Sequence, residues 1–122
     1  MSIALVSEPD TQWWSATRVK FVCGPRSFFV RPADVVRIEG EGNYSRVYTP
    51  SGSFLVRESV GAAAKRLEAY GFCRVHKSTV VNVQYVREVR RTGRRAHVVV
   101  LADGTECPLA YERREALETA LS

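Results

Sequence analysis

The 122-residue sequence lacks the features that mark secreted, zinc-binding and membrane-spanning proteins. Its three cysteines, Cys23, Cys73 and Cys107, are odd in number and far apart, so they form neither a disulfide framework nor a close pair of zinc ligands. We interpret them as reduced, largely buried thiols. No apolar run approaches the roughly 18 residues of a membrane span, and residues 1–10 have no basic region of the kind that opens an export signal. These absences favour a cytoplasmic protein without membrane insertion.

Motifs for catalysis and cofactor binding are missing as well. The sequence contains no G-x-S-x-G, H-E-x-x-H or G-x-x-x-x-G-K pattern. The Gly40-Glu41-Gly42 segment is not followed by a helical pattern, which indicates a turn and not a nucleotide-binding loop. We therefore predict no enzymatic activity, no cofactor and no metal site.

The chain does contain many short segments in which polar and apolar residues alternate, as is typical of β-strands. Short connections between them imply antiparallel pairing. From Thr17 onward we predict eight or nine strands, with residues 40–43 as a loop and residues 80–82 as a turn. The predicted strands cover residues 18–23, 27–30, 35–39, 44–49, 54–57, 72–76, 85–90, 96–101 and 106–109.

Two segments depart from the β pattern. Apolar residues recur at helical spacing over 60–70, where Ser59 is a suitable N-cap and Gly71 a suitable C-terminal stop. The tail, 111–121, predicts a short C-terminal helix. The fold class is therefore mainly β, with antiparallel sheets in an elongated sandwich, one mid-chain α-helix and a short C-terminal helix.

The domain organisation follows from the same pattern. Residues 17–122 are predicted to form one domain, and residues 1–16 an N-terminal arm that ends at Trp13 and Trp14. Two adjacent tryptophans are costly to expose to water. The pair either covers one end of the core or marks a self-association surface.

Positive charge is concentrated in one part of the chain. Residues 74–97 contain seven Lys or Arg residues and one acid, an excess larger than the net charge of +5 of the whole chain. Six of the seven are Arg, whose planar guanidinium suits phosphate oxygens and guanine edges. The segment is either a solvated hairpin or an electrostatic footprint for a polyanion. Tyr85 is the only aromatic residue among these charges, which argues against a platform for stacking single-stranded bases.

Two motifs resemble the signatures of one family. The segment Ile38-Glu39-Gly40-Glu41-Gly42-Asn43-Tyr44-Ser45-Arg46-Val47 is similar to the IEAEGNYVxV signature of LytTR domains. The segment from Phe72 to Asn82 is similar to the FxRxHRSxxVN signature of the same family, and Asp103-Gly104 followed by Pro108-Leu109 also fits. The resemblance covers residues 17–121, in the right order and spacing.

The resemblance implies a bacterial transcription regulator that binds duplex DNA. Members of the family use loops, not a recognition helix, to enter two successive major grooves. Their sites are commonly paired direct repeats, so two copies bind in tandem or as a homodimer. Because the domain usually follows a sensor or receiver domain, the chain is either a stand-alone regulator or a fragment.

The two signatures also imply which residues contact DNA. Positions in the first signature point to base or phosphate contacts, with Ser45 as a candidate base reader and Arg46 as a phosphate contact. In the second signature Lys77 replaces the commoner Arg, and His76 either donates to a phosphate or ties its strand to a neighbour. Asn82 is expected to cap a turn. The DNA-contact candidates from the two signatures are Asn43, Ser45, Arg46, Arg74, His76, Lys77 and Ser78.

A third region departs from the family pattern. Relatives often carry a Ser-Arg-Arg-like stretch before the C-terminal helix, where this chain has Ala110-Tyr111-Glu112. We expect Glu112 to pair with Arg113 or another neighbour, and Arg113 and Arg114 to contact phosphates. Arg91 and Arg94, at the tip of the basic hairpin, complete the predicted contacts. The Glu112 departure keeps open a protein-interaction module with weakened DNA binding, and the basic hairpin keeps open a non-specific RNA-binding protein.

Overall fold

The structure, a computed structural model, describes residues 17–122, so the predicted arm with Trp13 and Trp14 lies outside the described residues. The described chain contains two α-helices, α1 (Val60–Leu67) and α2 (Arg114–Leu121). Short 3-10 turns lie at Pro32–Asp34, Glu68–Tyr70, Val83–Tyr85 and Tyr111–Arg113. The strands are β1 (Val19–Cys23), β2 (Arg26–Val30), β3 (Arg37–Glu41), β4 (Tyr44–Thr49), β5 (Gly52–Val56), β6 (Phe72–His76), β7 (Thr79–Asn82), β8 (Val86–Arg91), β9 (His97–Leu101) and β10 (Glu106–Leu109).

The strands form three antiparallel sheets. The central sheet has the order β5-β4-β3-β7-β6, the second sheet has the order β10-β9-β8, and β1 and β2 form a hairpin. These sheets and the two helices confirm the predicted mainly β class. In the central sheet Glu39 pairs with Thr79 and Glu41 pairs with Tyr44. The β3–β4 and β6–β7 turns therefore lie at the same end of this sheet.

Each face of the central sheet carries its own hydrophobic core. The first core joins the sheet to α1 and the β1–β2 hairpin, with Phe21, Ile38 and Leu67 among its buried residues. The second core joins the sheet to the β8–β10 sheet and α2, with Leu101 and Leu117 fully buried.

Strand β7 corrects the prediction that residues 80–82 form a turn. All four of its residues are buried: Val80 faces the first core and Val81 faces the second. Successive side chains of a strand point to opposite faces. A strand that is covered on both faces therefore loses the polar–apolar alternation from which a strand is recognised.

Smaller corrections concern element boundaries. Strand β3 extends to Glu41, although Gly40 and Glu41 were predicted to be in a loop. A Cβ atom on Gly40 would lie 3.0 Å from Val60 Cγ1, so the glycine allows α1 to approach the sheet closely. The mid-chain helix is α-helical only to Leu67, and a 3-10 turn follows. Its predicted ends are confirmed: the Ser59 hydroxyl accepts a hydrogen bond from Ala62 N, and Gly71 has a left-handed φ of 88°.

Asn82 caps a turn, as the sequence predicts. Its Oδ1 accepts a hydrogen bond from Gln84 N at 3.0 Å, and its Nδ2 donates to Pro32 O at 3.1 Å and to Val35 O at 2.9 Å. The side chain is buried, so these bonds connect β7 to the segment before β3 without competition from water.

The three cysteines are free thiols, with Cys107 buried and Cys23 and Cys73 half-buried. Burial raises the pKa of the Cys107 thiol to about 11. Over residues 17–122, no group of three or more His, Cys, Asp or Glu side chains is placed to hold a metal ion. The same range contains no helix that is both long and apolar enough to cross a membrane.

Candidate nucleic-acid interface

Two of the predicted contact regions meet at one end of the central sheet. Gly40 N donates a hydrogen bond to Ser78 O at 2.8 Å, which joins the end of β3 to the β6–β7 turn. Asn43 is exposed on the adjacent β3–β4 turn, and Lys77 is exposed at the β6–β7 turn. The structure thus brings the two signature motifs together on one surface.

The β6–β7 turn is held by side chains on both sides of Lys77. His76 Nδ1 lies 3.0 Å from Ser78 Oγ and accepts a hydrogen bond from Ser78 N at 3.3 Å. The Arg74 guanidinium donates to His76 O at 3.3 Å and also to Lys77 O. The backbone under Lys77 is therefore fixed, while its ammonium group stays in solvent.

These contacts give His76 a structural role in its own turn, and its contact with a phosphate stays a prediction. Because Ser78 N–H donates to Nδ1, the neutral ring carries its proton on Nε2. His76 thus organises its own turn, and its Nε2–H remains as the second polar group of the ring. Ser78 is half-buried by the same contacts.

Ser45 is not available to a partner, so the prediction that it reads a base is wrong. Its side chain is fully buried, and Oγ donates to Glu58 O at 2.6 Å. Ser45 lies two residues before the buried Val47 and therefore points to the same face of β4. This hydroxyl connects β4 to the start of α1.

Arg46 lies on the opposite face of β4. Its guanidinium pairs with Glu41 at 3.1 Å and approaches Ser53 Oγ at 3.4 Å. Both charged side chains are about a third to a half exposed, so the ion pair is weak. Glu41 therefore holds the Arg46 guanidinium only weakly.

The third region lies next to the β6–β7 turn. Ala110 N donates to Val75 O at 2.7 Å, so the chain leaves β10 beside the end of β6. Tyr111 follows and is exposed. The Arg95 guanidinium lies 4.1 Å from the centre of the Tyr111 ring, and that of Arg114 lies 5.8 Å from it. These distances are within the range of cation–π attraction.

The contact with Tyr111 brings the β8–β9 tip to the same surface. Arg94 is exposed at this tip, while Arg91 donates to Gly93 O at 3.1 Å. Arg90 is already paired with Glu88 at 3.4 Å and with Glu106 at 3.3 Å. Only part of the basic hairpin is therefore available to an anionic partner.

Two predicted DNA contacts also border a second site. Arg113 and Arg74, which is bonded to the β6–β7 turn, are half-buried and line a groove between α1 and α2. Arg114 is paired with Glu118 at 3.1 Å. Glu112 is exposed, and within residues 17–122 it forms no ion pair shorter than 4.0 Å. The prediction that Glu112 pairs with Arg113 or a neighbour is therefore wrong.

Sequence reasoning missed Tyr111 as a member of the site, and it missed that Arg95 of the basic tip stacks on this ring. Their contact joins residues 16 positions apart through a hairpin whose length and twist the sequence does not specify. It also missed that Arg74 supports the Lys77 turn. The sequence shows that Arg74 lies three residues before Lys77. It does not show that the guanidinium turns back to bind backbone carbonyl oxygens, because such contacts leave no pattern of residue types.

An antiparallel β domain that gathers cationic turns at one end is built to present loops to a polyanion. Comparison with known proteins identifies the family. The sequence model of the LytTr DNA-binding domain matches residues 25–122, and the chain belongs to this family. Among solved structures, a LytTr DNA-binding domain from Bacillus cereus matches with a TM-score of 0.73 and 16% identity, covering 87% of this chain and 97% of that one.

Several regulators are similar in sequence. The heme-containing CO-sensing transcriptional regulator RcoM 1 of Paraburkholderia xenovorans is 29% identical over 89 residues, which are 72% of this chain and 33% of the relative. The CO-responsive transcriptional regulator RcoM of Rhodospirillum rubrum is 34% identical over 61% of this chain and 31% of its own length. The sensory transduction protein LytT of Bacillus subtilis is 26% identical over 80% of this chain and 41% of its own length. The chain therefore spans less than half the length of these relatives.

Proposed function

We propose that this chain acts in the cytoplasm as a transcription regulator that binds specific sites in duplex DNA and catalyses no reaction. The observation that carries this proposal is the joining of three exposed regions at one end of the domain. The hydrogen bond from Gly40 N to Ser78 O joins the first two, and that from Ala110 N to Val75 O joins the third. The family and the named functions of the similar regulators support the same conclusion.

Within this interface, Lys77 and Asn43 are the candidates for reading bases. Both are exposed on turns, and the backbone of Lys77 is held by Arg74 and His76. A side chain on a fixed backbone can distinguish base edges because its reach is limited. Lys77 suits the acceptors of guanine, and Asn43 suits the donor and acceptor pair of adenine.

Other cations of the interface suit the phosphate backbone. Arg94 and Arg95 lie on the β8–β9 tip, Arg46 on β4, and Arg114 at the start of α2. Arg91 and the Nε2–H of His76 are further donors. Contacts of this kind fix the position of a protein on DNA without reading its sequence. Ser45 is not included, because its side chain is fully buried. Arg74 and Arg113 are left out of the proposed contacts because both are half-buried and line the inter-helix groove.

One copy of this small surface covers a short stretch of DNA. We propose that binding sites are paired direct repeats, occupied by two copies in tandem or by a homodimer. A regulatory protein partner is a further expected interaction.

The experiment is a selection of bound fragments from genomic DNA, followed by titration of the selected site and of a random duplex over a range of salt concentrations. With roughly four to seven phosphate contacts, the slope of log K against log salt concentration should be about −4 to −6. The selected site should bind at least a thousandfold more tightly than the random duplex. A slope near zero, or equal affinity for both duplexes, would contradict the proposal.

A further inference from the structure

A groove of about 850 Å³ runs between α1 and α2, along the outer edge of the central sheet. Its walls are small side chains, Ala62 and Ala64 on α1 and Ala116 and Ala120 on α2. Its floor is the edge strand β6. The volume is in the range of sites that hold a ligand or a short peptide.

Part of the backbone of β6 faces this groove without a strand partner among the described residues. The edge is already paired at Val75, whose carbonyl accepts from Ala110 N at 2.7 Å, and Cys73 Sγ lies 3.9 Å from Arg74 O. Hydrogen-bonded and non-hydrogen-bonded pairs alternate in an antiparallel ladder. Val83 N donates to Gly71 O, and the pair of Cys73 and Val81 lies two positions further along both strands. Cys73 and Val81 are therefore also a hydrogen-bonded pair, and the N–H and C=O of Cys73 point toward β7. Those of Phe72 and Arg74, in between, point away from β7 and toward the groove. An extended segment can therefore be added to this edge as another strand.

The groove is also positively charged. Lys65, Arg74 and Arg113 line it, against a single acid, Glu68. Within the described range, neither Lys65 nor Arg113 has an ion-pair partner within 4.0 Å. Burial raises the pKa of the Cys73 thiol and the charge of Arg113 acts to lower it, as expected for a cation next to the floor of the groove. The groove thus suits an extended segment that carries carboxylates.

The chain itself contains a segment of this chemistry. Residues 1–16 contain Glu8 and Asp10 but no Lys or Arg, and residues 3–6 form an apolar run, Ile-Ala-Leu-Val. Sixteen residues can extend by roughly 50 Å, enough to reach any face of a domain of this size from Thr17. A tethered segment is also present at an effective concentration in the millimolar range.

We propose that this groove binds residues 1–16 of the same chain as an additional strand on β6. The apolar run of the segment suits the alanines of α1 and α2, and the carboxylates of Glu8 and Asp10 are opposite in charge to Lys65 and Arg113. Binding of this segment needs no DNA, so it is tested separately from the proposed function.

Trp13 and Trp14 are the two tryptophans of the chain, so its tryptophan fluorescence reports on this segment alone. In the full-length chain, Lys65→Glu with Arg113→Glu should shift the emission to longer wavelength and increase acrylamide quenching at least twofold. Adding Glu8→Lys and Asp10→Lys should restore the original emission, because the charges are exchanged and not removed. A variant that changes charge equally but away from the groove, Arg87→Glu with Arg94→Glu, is the matched control.

Amide hydrogen exchange tests the added strand directly. In the groove variant the amides of Phe72 and Arg74 should exchange at least tenfold faster than in the wild type, while the amide of Cys73, which bonds to Val81, should be unchanged. Equal rates of amide hydrogen exchange in both proteins would overturn the proposal. So would tryptophan emission that stays shifted in the variant with all four charges reversed. The exposed Phe29 provides an alternative contact for the tryptophans. If Phe29→Ser shifts the emission and the groove variant does not, the segment lies on the β1–β2 hairpin and the proposal is wrong.

Discussion

The two cationic turns at the proposed DNA surface are built in opposite ways. The β6–β7 turn rises from β7, whose residues are all buried, and is held by Arg74, His76 and Gly40. The β8–β9 tip, residues 92–96, is fully exposed and is closed by backbone hydrogen bonds to Ala96 O. Arg95 of this tip stacks on Tyr111.

This difference corresponds to two ways of binding DNA. Reading a base edge requires donors and acceptors to be placed to within a fraction of an ångström, which a fixed turn allows. Attraction to phosphates tolerates a mobile cation, because the charge density of DNA is nearly uniform along its backbone. We therefore expect damage to the first turn to change specificity, and damage to the second to change affinity for all sequences.

The largest effect should follow from Asn82→Ala, which removes the hydrogen bonds that anchor β7 at the end opposite to the first turn. Pro32 O, Val35 O and Gln84 N all lose a partner in a buried or partly buried place. We expect the free energy of unfolding, measured by chemical denaturation, to fall by about 2–4 kcal/mol. Gln84→Ala, at an exposed position, is the control and should change stability by less than about 0.5 kcal/mol. A loss below about 1 kcal/mol for Asn82→Ala would show that the fold does not depend on these hydrogen bonds.

Lys77→Ala tests the fixed turn without disturbing its backbone. Binding to the selected site should weaken by about 1–3 kcal/mol if the ammonium group contacts a base. Stability should change by less than about 0.5 kcal/mol, since the side chain is exposed. The measurement compares affinity for the selected site and for a random duplex. An equal loss on both duplexes would reassign Lys77 to phosphate contact. Lys20→Ala serves as a control at an exposed position on β1, away from the interface.

The exposed tip is tested by Arg94→Ala with Arg95→Ala. If each cation neutralises one phosphate, the log–log salt slope should become less negative by about 2, with equal loss on specific and random DNA. Tyr111→Leu removes only the stack beneath Arg95 and should change the slope by about 1 or less. A loss confined to the selected site would mean that the tip reads sequence.

The smallest effect is expected for Glu112→Gln. The carboxylate is exposed and has no ion-pair partner among the described residues, so it repels nearby phosphates through solvent. Removing the charge should tighten binding by less than about 1 kcal/mol and leave the preferred sequence unchanged. Loss of a C·G preference at one position of the selected site would show instead that Glu112 accepts a hydrogen bond from cytosine.

Much of the fold could be predicted because most strands have one face exposed to solvent, so that polar and apolar residues alternate along them. Strand β4 alternates visibly, whereas β7 does not, since Val80 and Val81 serve different cores. The same alternation indicates that Ser45 is buried, because it lies two residues before the buried Val47 and points to the same face of β4. Ser45 was nevertheless predicted to be at the surface, because serine is small and polar and its neighbours in the signature are polar. Its buried hydrogen-bond partner, the carbonyl of Glu58, is known only from the structure.

The candidate site was less predictable, because its contacts join segments that are distant in sequence. Charge density located the basic hairpin but did not show that Arg90 is neutralised by Glu88 and Glu106. Nor did it show that Arg95 reaches Tyr111. Such pairings depend on strand register, which is set by the packing of both sheets together.

The position of Arg74 makes one side chain part of two sites. Its Nε and one terminal nitrogen hold the carbonyls under Lys77, and the other, Nη1, lies 3.4 Å from where a Cβ would stand on Gly61, at the mouth of the inter-helix groove. One guanidinium therefore braces the turn that carries Lys77 and lines the inter-helix groove, so the loss of Arg74 would disturb both places at once.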